Sequence, residues 1–201
     1  IWITAPAGAG KTSLVSSWIE ARKLAHVWVQ LDERDADPAT FFHYLALGAR
    51  ALGSEAALLP ALTPEYLPSL AVFARRFFAS LAKCLPARGV IVLDNWQEVP
   101  AAAPSAGILD SAMGALPRGV TLVLLSRVPP SKALRNWAND PDFAQLGWDD
   151  LRLSDDEALA VARTQSPTII LLDLVLPGMD GLETTRRLRA DLVTRDMPIL
   201  M

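Results

Sequence analysis

Residues 5–12 read Ala-Pro-Ala-Gly-Ala-Gly-Lys-Thr, and no other stretch limits the fold so tightly. The apolar run at 1–4 precedes the octet. Leu14, Val15, Trp18 and Ile19 follow it at helical spacing, so it joins a strand to an amphipathic helix with that quartet as the buried face. Glycines at 8 and 10 let successive backbone N–H groups turn inward, and the helix opening behind them adds the positive end of its dipole. That is a phosphate cradle. In the pattern Gly-x-x-x-x-Gly-Lys-Ser/Thr, the candidate nucleotide-binding residues are Ala7, Gly8, Ala9, Gly10, Lys11, Thr12 and Ser13. Lys11 serves the β- and γ-phosphates, and Thr12 offers its hydroxyl to Mg²⁺. Ala5 stands where the pattern has its first glycine, but the backbone freedom next to Lys11 is kept. A chance glycine-rich turn would not bring the strand and the helix with it.

Beyond the octet, short apolar runs alternate with helical patterns, which predicts a mainly parallel sheet flanked by helices, an α/β fold. Strands are expected at 1–4, 26–31, 89–94, 121–127 and 150–153. Asp37 before Pro38 reads as an N-cap with proline at the first helical position. Leu70, Phe73, Phe77 and Leu81 repeat at helical spacing, as do Ile108, Leu109, Ala112, Met113 and Leu116, closed by Pro117-Arg118-Gly119. Ser154-Asp155-Asp156-Glu157 is a capping box.

A Mg²⁺–nucleotide site also needs a carboxylate on a neighbouring strand. Val90-Ile91-Val92-Leu93-Asp94 supplies one, placing Asp94 at the C-terminal tip where open parallel sheets bind ligands. Alone, such an acid could be a solvated strand end; with the glycine loop it becomes the second Mg²⁺ residue beside Thr12. Asn95 follows, where many ATPases carry an acid that orients the attacking water. An amide holds a water but cannot take its proton, so turnover is expected to be slow. Glu98 is either the substitute acid or a solvated glutamate. Arg127, at the end of the fourth expected strand, is either a γ-phosphate sensor or a surface arginine. No Asn-Lys-x-Asp motif follows that strand, which favours ATP over GTP.

Composition excludes several classes. The 201 residues are 51% hydrophobic and 20% charged, enough apolar mass for a packed core. A net charge of −3 leaves no electrostatic footprint for nucleic acid. One cysteine, Cys84, forms no internal disulfide and suits a reducing compartment. No apolar run approaches the roughly eighteen residues that cross a bilayer, and no signal-peptide pattern opens the chain, so a cytoplasmic protein without membrane contact is expected. His26 and His43 are isolated and lack metal-ligand spacing.

Residues 1–160 resemble the nucleotide-binding domain of the STAND-class ATPases of large LuxR-type transcriptional regulators, the maltose-activator-like proteins. The resemblance is carried by the 5–12 octet, Trp28-Val29-Gln30-Leu31-Asp32-Glu33, Asp35-Ala36-Asp37-Pro38, Leu93-Asp94-Asn95-Trp96-Gln97-Glu98-Val99, Leu124-Leu125-Ser126-Arg127 and Asp149-Asp150-Leu151-Arg152-Leu153-Ser154. It implies a P-loop NTPase domain over 1–158 that acts as a signal-transduction switch. ATP would favour a self-associating state, and hydrolysis to ADP would reset it. Family members contact DNA through other domains, so DNA contact is not expected of these residues.

Residues 159–201 resemble something else, the middle of a response-regulator receiver, a flavodoxin-like fold. Ile169-Ile170-Leu171-Leu172-Asp173-Leu174-Val175-Leu176-Pro177-Gly178-Met179-Asp180-Gly181 is similar to its third strand and following loop. Pro198-Ile199-Leu200-Met201 is similar to the start of its fourth strand. A continuous strand is expected over 168–176 and a helix from about Asp180, giving a partial β-loop-α-β segment. Asp173 takes the phospho-acceptor position and is expected to be inactive here, because the first-strand acidic pair and the lysine of a receiver have no counterparts in these residues. Two functions compete: an ATP-binding, weakly hydrolysing switch, and a phosphorelay receiver fragment built on Asp173.

Overall fold

The computed structural model describes residues 1–53, 58–131, 137, 140–172, 175–176 and 179–200. They fall into two compact units, Ile1–Leu151 and Arg152–Met201.

The first unit is built on a sheet of five strands, all parallel: β1 (Trp2–Thr4), β2 (His26–Gln30), β3 (Val90–Asp94), β4 (Thr121–Ser126) and β5 (Gln145–Leu146). Their order across the sheet is β2-β3-β4-β1-β5. Pleating sends alternate residues of β3 to opposite faces: Ile91 and Leu93 to one, Val90 and Val92 to the other. All five residues of β3 are buried, as its apolar run requires.

Helices α2 (Pro38–Ala49), α3 (Leu70–Cys84) and α4 (Ile108–Met113) cover the Ile91/Leu93 face. Phe42 of α2 meets Phe73 and Phe77 of α3 at ring-centroid distances of 4.8 and 4.9 Å. Each such pair adds about 0.5–1.5 kcal/mol beyond burial of its area. The Asp37 carboxylate accepts the Thr40 N–H at 2.9 Å, so α2 begins at Pro38 as its sequence dictates. On the opposite face, α1 (Lys11–Arg22) packs Val15 and Ile19 against Ile3, Val123 and Leu125. The expected buried quartet is narrower than its pattern: Trp18 is half-buried and Leu14 is 46% exposed.

One expected strand is absent. Residues 150–153 form no strand; a short helix, α5 (Trp148–Leu151), takes the first two of them. Asp150 accepts the Gly147 N–H at 2.7 Å and so favours a tight turn over an extended chain. The place beside β1 belongs to β5, whose two residues pair with Trp2 and Ile3.

In the second unit, α6 (Asp155–Gln165) opens on the capping box, with Glu157 accepting the Ser154 N–H at 2.8 Å. β6 (Ile170–Leu171) pairs in parallel with β9 (Ile199–Leu200). The expected 168–176 strand is split. β7 (Val175–Leu176) pairs instead with β8 (Met179–Asp180) as an antiparallel couple, and α7 (Gly181–Ala190) follows. Asp173, Leu174, Pro177 and Gly178 lie outside the described residues. Among the described residues, no helix is long and apolar enough to cross a membrane.

Candidate functional site

β1 delivers the chain into the glycine loop, and α1 carries it away. Gly8 and Gly10 both adopt φ of 77°, a left-handed conformation that glycine takes without penalty. A methyl group added at either would meet nothing within 4 Å, so backbone conformation sets the requirement and the space around the loop is open. Among the described residues no side chain caps α1, and its first turn holds no acid. The leading N–H groups of this 12-residue helix are thus left for a ligand.

Lys11 folds back over the loop. Its ammonium donates to the carbonyls of Ala5 at 2.7 Å and Pro6 at 2.9 Å, which leaves a third N–H to offer. Partial burial holds its pKa below the usual 10.5. The Asp94 carboxylate opposes that shift and the Arg127 guanidinium adds to it.

The Thr12 hydroxyl donates to Asp94 Oδ2 at 3.0 Å, and the Asn95 N–H donates to Asp94 Oδ1 at 2.8 Å. Asp94 is 5% exposed, so its carboxylate is held by these partners with little help from water. β4 lies between β1 and β3, and the first turn of α1 therefore reaches over the end of β4 to touch β3. That end carries Ser126, buried, whose carbonyl accepts the Ala5 N–H at 3.3 Å, and then exposed Arg127.

Asn95 has φ 61° and ψ 39°, a left-handed geometry that asparagine tolerates better than most residues. It swings the chain into a short 3-10 turn, Trp96–Glu98, anchored by Trp96 packing edge-on to Phe41 at 6.4 Å. Gln97 occupies the centre of this turn. Its side chain donates to Asn95 Oδ1 at 3.3 Å and to Glu98 Oε1 at 3.1 Å, and it accepts the Arg127 backbone N–H at 3.0 Å. Beside the turn, Gln30, Leu31, Asp32, Glu33 and Arg34 join Asn95 and Glu98 around an open cleft of about 540 Å³. Next to these in sequence, Asp35 is buried and its pKa is raised by that burial, while its Oδ2 accepts the Asp32 N–H at 2.8 Å.

Lys11, Thr12, Asp94 and Arg127 are thus brought together at one end of the sheet, with Asn95 and Glu98 on the adjoining turn. Asp173 lies outside the described residues. Two residues escape sequence reasoning. Gln97 carries no local signal, because its role depends on β3 and β4 being neighbours. Asp35 looks like one more acid in a polar run until the 3-10 turn Glu33–Ala36 buries it. Among the described residues, no group of three or more His, Cys, Asp or Glu side chains is placed to hold a metal ion. The Thr12–Asp94 pair is a hydroxyl and a carboxylate, hard oxygen donors of the kind Mg²⁺ takes when most of its shell is water and phosphate.

No family model matches the chain. It is similar to the HTH-type transcriptional regulator MalT of Cronobacter sakazakii, 30% identical over 166 residues, covering 78% of this chain and 17% of the regulator. It is also similar over short stretches to two further regulators. One is the response regulator PleD of Caulobacter vibrioides, 48% identical over 44 residues, covering 22% of this chain and 10% of PleD. The other is the phosphate regulon transcriptional regulatory protein PhoB of Pseudomonas aeruginosa, 49% identical over 45 residues, covering 22% of this chain and 20% of PhoB. The chain thus spans about a sixth of the MalT regulator and a tenth of PleD. Its sequence joins weak likeness to MalT-type regulators with short likeness to response regulators.

Proposed function

We propose that residues 1–158 form a P-loop ATPase domain of the STAND class, which binds Mg·ATP, hydrolyses it slowly and switches a LuxR-type transcriptional regulator. The observation that carries this reading is the Thr12–Asp94 hydrogen bond at the uncapped start of α1. It unites an anion-binding helix end with the two side chains suited to a Mg²⁺ shell. Backbone N–H groups of residues 7–13 would hold the phosphates, Lys11 would neutralise them, and Thr12 and Asp94 would hold the metal. Bound Mg²⁺ supplies charge neutralisation on the phosphate oxygens. Arg127, whose charge already acts on Lys11, suits a γ-phosphate. Asn95 in the water-facing position and Glu98 one turn away suit slow hydrolysis. On this reading ATP would favour a self-associating state and hydrolysis would reset it. DNA contact would fall to other domains.

Calorimetric titration tests the reading. Lys11→Ala should lower ATP affinity at least about tenfold, roughly 1.4 kcal/mol. Equal binding by both proteins, or none by the wild type, refutes it. The response-regulator similarity favours a second reading for residues 159–201, a phosphorelay segment with Asp173 as acceptor. Incubation with acetyl phosphate and Mg²⁺, followed by intact mass, separates the two. An adduct at Asp173 promotes the second.

A further inference from the structure

We infer that the Gln97 carboxamide is a positioning residue that links the phosphate-sensing end of β4 to the water-facing turn after β3, passing nucleotide state from Arg127 to Asn95 and Glu98. This rests on the ATP-switch reading and deepens it.

Chemistry fixes the polarity of the link. A backbone N–H only donates, so the oxygen of Gln97 must face Arg127, at 3.0 Å. Both amide hydrogens then face the other way, toward Asn95 Oδ1 at 3.3 Å and Glu98 Oε1 at 3.1 Å. Asn95 Oδ1 is thereby engaged as an acceptor. Asn95 is left with its NH₂ group, a donor suited to a phosphate oxygen, and the second lone pair of Oδ1, neither of which takes a proton from water. Glu98 keeps its second oxygen as an acceptor for water.

The position of the link gives it leverage. The β3–β4 register runs from Val90↔Thr121 to Leu93↔Leu124. Beyond it the two strands end in different turns. Among the described residues, Gln97 is the side chain that hydrogen-bonds to both ends. Its amide is a rigid plane, so a displacement of the Arg127 backbone that carries the oxygen along must also move both N–H groups. A tie that served stability alone would hold ATP and ADP forms alike. A relay separates them.

The test is titration of the full chain with Mg·ADP and with a non-hydrolysable Mg·ATP analogue. Wild type, Gln97→Leu, Gln97→Glu and Arg127→Ala are compared. Gln97→Glu keeps an acceptor for the Arg127 N–H but removes both donors and sets a negative charge beside Glu98. Each Gln97 variant should lose about threefold to tenfold of the preference for the ATP analogue over ADP, the scale of one or two hydrogen bonds, while ADP affinity stays nearly constant. Arg127→Ala should lose the same preference, and Gln97→Leu added to it should cost little more. Equal losses for both nucleotides, an unchanged preference, or full additivity overturns the inference. Wild type that binds neither nucleotide overturns the ATP reading first. Amide exchange at Arg127 in the wild type needs no variant. It should slow more with the ATP analogue than with ADP, and equal slowing also overturns the relay.

Discussion

The Thr12 hydroxyl and the Asp94 carboxylate meet at 3.0 Å although 82 positions separate them in sequence. Between them lies β4, so the contact spans a strand to which neither residue belongs. Each group partly satisfies the other in the absence of a ligand, which matters for a carboxylate that is 5% exposed. The same pairing sets both oxygens at the start of α1, where the helix dipole favours negative charge.

Asp94→Asn tests whether that carboxylate serves a metal. Asparagine can keep its oxygen on the Asn95 N–H, where Oδ1 sits, and turn its NH₂ toward the Thr12 hydroxyl, which accepts as well as donates, so the local fold should persist while the charge is removed. We expect Mg·ATP affinity to fall at least about tenfold, roughly 1.4 kcal/mol, while nucleotide affinity in EDTA changes little. Equal losses with and without Mg²⁺ would show that Asp94 holds the loop and does not hold the ion.

Lys11 gives the site a pH dependence. Burial lowers its pKa below 10.5, so the folded protein gives up this proton at lower pH than the unfolded chain does. The cost of keeping the ammonium charged is full at every pH below the lowered pKa, falls as pH rises from there, and is gone above the unfolded-chain value of 10.5. Phosphate binding needs the charged form. ATP affinity should therefore begin to fall below pH 10.5 on the alkaline side, and Lys11→Arg, which stays charged, should remove that decline. Titrations between pH 7 and 10 decide it. Parallel curves for the two proteins would disconnect Lys11 from the phosphates.

What the sequence made legible is local. The glycine loop, the Asp37–Pro38 cap, the Ser154–Glu157 capping box and the apolar run of β3 each fit within a few residues, and each is present in the structure. The misreadings are non-local. β5 is two residues long and owes its identity to pairing with Trp2 and Ile3, more than 140 positions away in sequence, while the alternating pattern at 150–153 lies at and just after a short helix. Leu14 matches a helical stripe, but α1 meets the sheet through a narrower contact at Val15 and Ile19. The candidate site divides in the same way. Lys11, Thr12 and Asp94 stand out as motif residues, whereas Gln97 acquires partners only once β3 and β4 lie side by side.

Gly119 controls that side-by-side placement. Its φ is 102°, and a Cβ built there would lie 2.3 Å from the Ala87 carbonyl oxygen. The adjoining Thr121 N–H bonds to the Gly89 carbonyl at 2.9 Å, where β3 and β4 begin. Gly119→Ala combines a strained conformation with a backbone clash, so the strand starts must part. We expect a loss of about 2–4 kcal/mol in chemical denaturation, whereas the same change at an exposed helix position would stabilise by about 0.5–1 kcal/mol. A loss within about 0.5 kcal/mol would mean that the turn relaxes freely and does not set the β3–β4 approach.

Asn95→Asp should convert a slow ATPase into a faster one. The left-handed conformation at φ 61° suits aspartate about as well as asparagine, and the Asn95 backbone N–H keeps its bond to Asp94. Gln97 still finds an oxygen to donate to, so the turn keeps its tie to β4. The change replaces the amide NH₂ with a carboxylate oxygen that can accept a proton from water. Asp94 and Glu98 lie close in sequence, and their negative charges should raise the new acid's pKa toward neutrality, where a general base works best. General-base catalysis typically contributes about a hundredfold to ten-thousandfold. We expect single-turnover phosphate release to rise at least about tenfold at saturating nucleotide, while Mg·ATP affinity falls, because an NH₂ donor is lost and a negative charge is added beside the phosphates. Glu98→Gln is the companion measurement. An unchanged rate for Asn95→Asp, together with a clear drop for Glu98→Gln, would take the water from Asn95 and assign it to Glu98.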